Sequence, residues 1–129
     1  VKLKYLHAYN TARQNAAAFY DAYLNSLPAL SVPTRAPWSN HIFHQYTLKV
    51  SDNKRDQLKE YLEKKGIPSM IYYPVPLHLQ KAYSWLGYRQ GDFPITEKLC
   101  SVVLSLPIHT ELEMEQLQYI SSAIREFFQ

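Results

Sequence analysis

The residues best suited to bind a small molecule lie in one short stretch, Ile71–Gln80, with the sequence IYYPVPLHLQ. Two prolines, two tyrosines and a histidine follow an apolar run there. Each proline fixes φ at about −65°, lacks an N–H and favours an extended conformation in the residue before it. We therefore predict that a strand ends here and leads into a stiff, non-helical arm that presents Tyr72, Tyr73 and His78. The alternative is that these side chains only finish a strand and pack against the next helix, and the residue types alone slightly favour it.

A second group of candidates lies in the run HIFHQYTLKV at residues 41–50. Its aromatic and β-branched residues predict a strand, whose side chains alternate between two faces. His41 and His44 would then point to opposite faces, so we expect no metal site. His44 shares its predicted face with Tyr46 and Leu48, which is typical of a core histidine. It becomes a ligand contact only if that face borders a cleft.

The sequence contains no motif for catalysis by this chain alone. Its three glycines, at positions 66, 87 and 91, do not form a phosphate-binding loop. Ser105 lies in an apolar run without a flanking pair of glycines, so there is no nucleophile elbow. Seven acidic residues fall at predicted helix starts or on exposed helix faces, where a solvated role is typical. They are Asp52, Asp56, Glu60, Glu63, Glu111, Glu113 and Glu115. We therefore assign no catalytic residue and no metal ligand.

Composition predicts a single globular domain over residues 1–129, with 47% hydrophobic and 19% charged residues. The 14 basic and 11 acidic residues are scattered along the chain, so we expect no binding to nucleic acid. No window approaches the roughly 20 apolar residues of a membrane span, so we expect no membrane contact. The one cysteine, Cys100, favours a reducing compartment, and we expect a cytoplasmic protein.

A long helix is predicted at the start of the chain, over residues 1–26. Helical periodicity is already present at Leu3 and Leu6 and continues to Asn25, just before Pro28. No capping residue precedes it, which suggests that the chain begins inside an element of a longer protein.

The sequence pattern over residues 27–129 predicts alternating strands and helices. Ser51 or Asp52 would cap a helix closed by Gly66, and Thr110 with Glu113 would form a capping box for the last helix. Trp38 would anchor the extended connection before the first strand. The strands are predicted at 42–49, 69–73 and 102–106. The expected fold class is α/β of the α+β type: a two-layer sandwich in which helices pack on a small, mainly antiparallel sheet, preceded by the long N-terminal helix.

Several stretches together carry a resemblance to a known family. They are HIFHQYTLKV, KKGIPSMIYYPVPLHLQKAY, and GDFPITEKLCSVVLSLPIHTEL followed by EQLQYI. In this order they closely resemble the C-terminal part of the pyridoxal-phosphate-dependent sugar aminotransferases of the DegT/DnrJ/EryC1/StrS family. The opening YLHAYNTARQNAAAFYDAYL is similar to the long helix that leads from the large domain of that family into its small domain.

The resemblance implies that residues 27–129 form the small domain of a fold-type I aminotransferase, with a large cofactor-binding domain upstream. The parent enzyme would transfer an amino group, usually from glutamate, to a keto group of a nucleotide-linked sugar. It would act as a homodimer. A lysine of the large domain would hold the pyridoxal phosphate, so we expect no cofactor on this chain and no activity from it alone.

The resemblance also implies which side chains face the ligand. Tyr72, Tyr73 and His78 would approach the cofactor and the nucleotide-sugar, and His44 is a further substrate-binding candidate. Position 72 is tyrosine here, where relatives often have histidine. Two other interpretations are a stand-alone α/β module that binds a small molecule or a protein, and an RNA-binding sheet. The second has neither an RNP-like aromatic motif nor a basic stripe in its favour.

Overall fold

The computed structural model describes residues 1–51 and 53–129. A turn of 3₁₀ helix, Lys2–Tyr5, leads into helix α1, Leu6–Leu24. The alanine-rich middle of α1 has high helix propensity, and the long N-terminal helix is confirmed. Fully buried side chains occur only in its second half, from Ala16 onwards, so that half packs on the core.

The described residues form one small antiparallel sheet of three strands. The strands are β1 (Leu30–Ser31), β2 (Tyr46–Val50) and β3 (Val103–Leu106). Strand β2 lies in the centre and pairs antiparallel with both neighbours. Tyr46 lies opposite Leu106, which sets the register of the central pair. The predicted antiparallel sheet is confirmed, although its edge strand β1 lies in what was predicted to be a connection.

The strand predicted at 42–49 begins only at Tyr46, so its first part was wrong. Phe43 has a φ of 50°, in the left-handed region that a bulky residue rarely adopts and that breaks the pleat of a strand. The backbone N–H of Phe43 donates to Nδ1 of His41 over 2.9 Å, which stabilises this turn locally. The chain therefore enters β2 from a bend.

The strand predicted at 69–73 is reduced to one antiparallel bridge, between Met70 and Ser105. Tyr73 has a φ of 60°, although the following Pro74 was expected to hold it in an extended conformation. The left-handed residue turns the chain away from β3 after the bridge. The prediction of a non-helical arm after this point is correct as far as Pro76, which has φ −53° and ψ 140°.

The remaining helices lie between the strands and at the C-terminus. They are α2 (Arg55–Lys64), the 3₁₀ helices Leu77–Leu79 and Lys81–Leu86, α3 (Pro94–Val102) and α4 (Met114–Phe128). After α2, Gly66 has a φ of 72° and Ile67 donates its N–H to the carbonyl of Leu62 over 2.9 Å. This is the glycine-closed helix end that the sequence predicted.

Two predicted N-caps differ from the structure. Helix α2 begins after Lys54, so Ser51 does not cap it, and Asp52 lies outside the described residues. The capping box of α4 joins Glu113 and Gln116, one turn later than the predicted pair that starts at Thr110.

Helix α4 packs against α1 and α2, and α2 and α3 each contact the sheet. Tyr20 of α1 packs against Tyr46 of β2, whereas α3 contributes no buried residue to the core. The core consists of the second half of α1, the inward side chains of the strands and the apolar stripes of α2 and α4. Its fully enclosed large side chains include Tyr20, Leu24, Phe43, Tyr46, Leu48, Leu58, Leu62, Leu104 and Ile124. None of the helices in the described part of the chain is long and apolar enough to cross a bilayer.

A polar network inside this core links α1 to the sheet. The hydroxyl of Tyr46 donates to Oδ1 of Asp21 over 2.7 Å, and that of Tyr20 donates to the carbonyl of Pro107 over 2.9 Å. Burial raises the pKa of both tyrosines above the ordinary value, and the bond to Asp21 adds to the rise for Tyr46. Both hydroxyls therefore stay protonated in the alkaline range where an exposed tyrosine already titrates.

The connection between α1 and β2 is held by Arg35. Its Nε donates to Oδ2 of Asp21 over 2.9 Å, and its guanidinium lies 4.7 Å from the centre of the Phe43 ring. Trp38, predicted as the anchor of this connection, is 86% exposed. That prediction was wrong because the anchoring contact is made by a charged side chain, Arg35, with the partly buried carboxylate of Asp21.

Candidate functional site

A pocket of about 260 Å³ opens beside the bend before β2 and the end of β3. Two of the predicted substrate-binding residues, His44 and Tyr72, both line it. The rest of its lining is Gln45, Pro68, Ser69, Met70, Ser105, Leu106, Pro107 and Ile108. The polar groups are an imidazole, an amide and hydroxyls, which can both donate and accept hydrogen bonds.

His44 reaches this pocket because it precedes β2 instead of lying within it. Its side chain is exposed, so the prediction of a core histidine beside Tyr46 and Leu48 was wrong. Strict alternation in a strand would also have separated His44 from Gln45, whereas the bend lets both line one pocket.

Arg13 of α1 holds this bend in place. Its Nη1 lies 3.2 Å from the carbonyl oxygens of Phe43 and His44 and 3.1 Å from that of Ile108. One guanidinium group therefore joins the long helix to two separate parts of the pocket wall. The left-handed conformation at Phe43 gains hydrogen bonds that offset its strain.

A second pocket, of about 340 Å³, lies on the other side of the same two residues. His44 and Gln45 line it together with Pro33, His41 and Thr47. The hydroxyls of Thr47 and Ser105 are hydrogen-bonded over 2.8 Å and join the walls of the two pockets. His44 and Gln45 thus form a ridge between two small cavities.

Ser69 is a pocket residue that the sequence analysis did not select. Its Oγ is buried and has no hydrogen-bond partner among the described residues. Buried hydroxyls normally have a partner, so this group is an exception within the pocket wall. Nothing in the spacing around Ser69 marked it, because its burial follows from the bridge that the next residue makes to β3.

The two tyrosines of the arm, residues 71–80, lie in different surroundings. Tyr72 lines the 260 Å³ pocket, but Tyr73 is absent from its described lining and is 70% exposed. A tyrosine with positive φ directly before a proline is strained, and such strain is concentrated at functional sites. Tyr73 is therefore presented at the surface beside the pocket.

His78 lies apart from the pocket. Its side chain is only 8% exposed, and its Nε2 lies 3.1 Å from Oε1 of Glu97 on α3. Its ring packs against Phe93 with 4.8 Å between ring centres. The structure thus brings together His44 and Tyr72 but not His78.

Glu97 is the acceptor at the centre of this second group. Its carboxylate also accepts the backbone N–H of Gly91 over 2.8 Å and that of Phe93 over 3.4 Å. The hydrogen bond from Gly91 is the largest cause that lowers the pKa of Glu97, and the bond to His78 lowers it further. The carboxylate is therefore the charged acceptor, and His78 donates to it from Nε2.

The sequence matches one protein family almost throughout. Residues 1–125 match the DegT/DnrJ/EryC1/StrS aminotransferase family. The chain belongs to this family, as the resemblance predicted.

The chain is similar to several enzymes and to a regulatory protein. It is 40% identical over 121 residues to the UDP-N-acetyl-3-dehydro-alpha-D-glucosamine 3-aminotransferase of Acidithiobacillus ferrooxidans and 39% identical over 130 residues to a pleiotropic regulatory protein of Geobacillus stearothermophilus. It is 35% identical over 127 residues to the dTDP-3-amino-3,4,6-trideoxy-alpha-D-glucose transaminase of Streptomyces venezuelae. These matches cover 94%, 99% and 98% of this chain but 31%, 34% and 33% of the relatives. The chain thus spans about a third of the length of the curated relatives it matches.

Solved structures show the same fold. The S. venezuelae protein DesV, in complex with a ketimine intermediate, has a TM-score of 0.94 at 34% identity. A DegT DnrJ EryC1 StrS aminotransferase from Brucella abortus has a TM-score of 0.87 at 36% identity. The two matches cover 99% and 98% of this chain, and 34% and 33% of those chains. The predicted fold class is confirmed.

The pocket does not by itself fit pyridoxal phosphate. Aminotransferases hold this cofactor through a lysine amine and pair its ring nitrogen with a charged side chain. The described lining of the 260 Å³ pocket contains no lysine, arginine or carboxylate. Within residues 1–51 and 53–129, no group of three or more His, Cys, Asp or Glu side chains could hold a metal ion.

Proposed function

We propose that this chain is the C-terminal, substrate-recognition part of a pyridoxal-phosphate-dependent aminotransferase. The whole enzyme would transfer an amino group, with glutamate as the expected donor, to a keto group of a nucleotide-linked sugar. The family match over residues 1–125 and the two sugar-nucleotide aminotransferases among the relatives support this proposal. Pyridoxal phosphate supplies the electron sink for amino transfer.

In this proposal residues 1–26 link the chain to a large domain, and residues 27–129 form the small domain. The large domain would hold the cofactor, because the chain spans a third of its relatives and its pocket does not have the required donors. The partners would be that large domain and a second subunit in a homodimer. Sedimentation of the full-length protein tests the dimer.

The observation that carries the proposal is that His44 and Tyr72, from separate segments, line one pocket. Imidazole and phenol groups can hydrogen-bond sugar hydroxyls, and an aromatic face can pack on a sugar ring or base. A volume of about 260 Å³ lies below the roughly 300–1,000 Å³ of ordinary ligand sites. The pocket would therefore hold one part of the substrate.

We assign the sugar to this pocket. Its polar groups are neutral or weakly basic, and its described lining has no lysine or arginine to pair with a diphosphate. Exposed Tyr73 would contact the substrate outside the pocket. A direct substrate contact by His78 stays a prediction.

Steady-state kinetics of the full-length protein test this site. Tyr72→Phe and His44→Ala should each raise KM for the nucleotide-sugar about tenfold, since each removes a substrate hydrogen bond. The half-reaction with the amino donor should be unchanged. Tyr119→Phe, on α4 and outside the described lining, is the matched control. An unchanged KM in both variants would contradict the site, and failure to aminate any nucleotide-sugar would contradict the function.

A second experiment addresses the 129-residue chain itself. Purified chain is mixed with pyridoxal phosphate, its absorbance spectrum is recorded before and after borohydride, and its intact mass is measured. We expect no saturable band of a lysine-bound cofactor and no single stoichiometric adduct. One reduced lysine would mean that this chain contains an activated amine.

A further inference from the structure

The segment from Tyr72 to Leu99 is held in place mainly by polar contacts. Of these residues, all of which the structure describes, only Pro76 is fully buried. Large side chains such as Trp85 and Ile95 are exposed. Apart from Ile71, which packs against the core, and the buried Pro76, apolar burial contributes little to the position of the arm, so we expect hydrogen bonds to contribute most of the rest.

Those hydrogen bonds converge on Glu97. Its carboxylate, 18% exposed, is the shared acceptor for His78 of the arm and for the backbone N–H groups of Gly91 and Phe93. Gly91 has a φ of 97°, which only glycine adopts readily, so the loop before α3 is shaped to point this N–H at the carboxylate. Bonds to an ionised acceptor are stronger than bonds between neutral groups.

An aromatic cluster packs beside the same contact. Phe93 packs against the ring of His78 and, at 5.0 Å and nearly perpendicular, against that of Tyr88. Phe93 thus covers one side of the His78 ring, whose side chain is only 8% exposed.

The arm is thus attached at both ends. At its N-terminal side Met70 is bridged to Ser105 of β3, and at its C-terminal side His78 is bonded to Glu97. Within the arm, Nε2 of Gln80 donates to the carbonyl of Val75 over 3.2 Å. Tyr72 lies between the two attachments, next to the strained Tyr73, so its position in the pocket depends on both.

We propose that Glu97 and His78 are positioning residues for the sugar pocket. Their hydrogen bond holds the arm so that the Tyr72 side chain stays in the pocket wall, and neither residue needs to touch the substrate. This inference rests on the proposed function, because the pocket is taken to bind the nucleotide-sugar.

Kinetics of the full-length protein test the proposal. Glu97→Ala should raise KM for the nucleotide-sugar about tenfold, while the amino-donor half-reaction stays unchanged. Glu97→Gln retains an acceptor oxygen and should raise this KM by a smaller factor. Glu115→Gln, an exposed glutamate of α4, is the control for removal of one charge and should have no effect. If Glu97→Ala lowered the activity of both half-reactions equally, the substitution would have damaged the whole enzyme, and the proposal would be overturned.

A double-mutant cycle separates positioning from direct contact. If Glu97 acts through the arm, adding Tyr72→Phe to the Glu97→Ala variant should raise KM for the nucleotide-sugar only slightly further, so the effects of the two substitutions are not additive. His78→Gln keeps a donor at nearly the same reach and should retain most of the affinity. Fully additive increases in KM would overturn the positioning role. So would a complete loss of affinity in His78→Gln while Glu97→Gln keeps nearly the wild-type affinity, and that result would favour a substrate contact by His78.

Hydrogen exchange on the 129-residue chain makes the two proposals distinguishable. Glu97→Ala should raise amide exchange within residues 71–80 at least severalfold and leave α1, β2 and α4 unchanged. Unchanged exchange in the arm overturns this inference alone. Faster exchange together with a full-length protein that binds no nucleotide-sugar overturns the proposed function, and the positioning role for a sugar pocket with it.

Discussion

The sheet with α1, α2 and α4 differs from the segment 71–99 in what holds it together. In the first region Leu48 and Ile124 are completely enclosed, and the hydroxyls of Tyr20 and Tyr46 have hydrogen-bond partners. In the second region apolar side chains such as Leu77 and Trp85 face outwards, and one carboxylate collects several hydrogen bonds. The first region provides stability, and the second presents a surface.

The candidate pocket lies where these two regions meet. His44 and Ser105 belong to the stable region, and Tyr72 belongs to the arm. Changes in the core should therefore act on the free energy of unfolding, whereas changes in the arm should act on binding. The following predictions measure this difference.

The largest difference is expected between two leucine truncations. Leu48→Ala should lower the free energy of unfolding by about 2–5 kcal/mol, because it leaves a cavity in the core. Leu77→Ala removes a side chain that is 55% exposed and should cost less than about 0.5 kcal/mol. Urea unfolding followed by fluorescence measures both. Similar losses would show that the arm belongs to the same packed unit as the core.

A second difference is expected between two carboxylates that each accept several hydrogen bonds. Asp21→Ala leaves the buried hydroxyl of Tyr46 without its acceptor and should cost about 1–3 kcal/mol. Glu97→Ala should leave the unfolding midpoint unchanged and loosen only the arm. Urea unfolding of the wild type and both variants measures these effects. The midpoint should fall for Asp21→Ala and stay at the wild-type value for Glu97→Ala. A larger loss for Glu97→Ala would reverse the assignment of the two regions.

The smallest effect is a difference in alkaline stability. The pKa of Tyr46 is raised in the folded state, so as pH rises above 10 the unfolded chain loses its tyrosine proton first and folding becomes less favourable. This contributes a loss of up to about 1.4 kcal/mol per pH unit. Tyr46→Phe should reduce the slope between pH 10 and 11, and Tyr73→Phe, which removes an exposed hydroxyl from the arm, should not. Equal slopes in all three proteins would contradict a role for the buried hydroxyl.

The helices were the most predictable part of the fold. The periodicity before Pro28 and the glycine after α2 are local signals, and local signals decide where a helix runs and ends. The N-caps were predicted less well, since a capping side chain is chosen among several polar neighbours by the path of the preceding loop. Strand β1 has only two residues, too few to leave any alternation in the sequence.

Two residues that line the candidate pocket were among those selected from the sequence. The residue types of the arm pointed to Tyr72, and the family resemblance added His44, which the structure places in the same pocket. Arg13 and Ser69 were missed. The role of Arg13 depends on carbonyl oxygens distant in sequence, and the place of Ser69 in the pocket wall depends on the bridge between Met70 and β3, which has no local signature.

The sequence by itself determined the family, the long N-terminal helix, the antiparallel sheet and the concentration of ligand-type residues after Met70, because composition, periodicity and motif order are properties of the chain. Only the tertiary structure decided which of those residues meet. The positive φ angles of Phe43 and Tyr73 are unfavourable locally, and Arg13 of α1 stabilises the first by a hydrogen bond to the carbonyl oxygen of Phe43. They bring His44 and Tyr72 into one pocket and leave His78 bonded to Glu97.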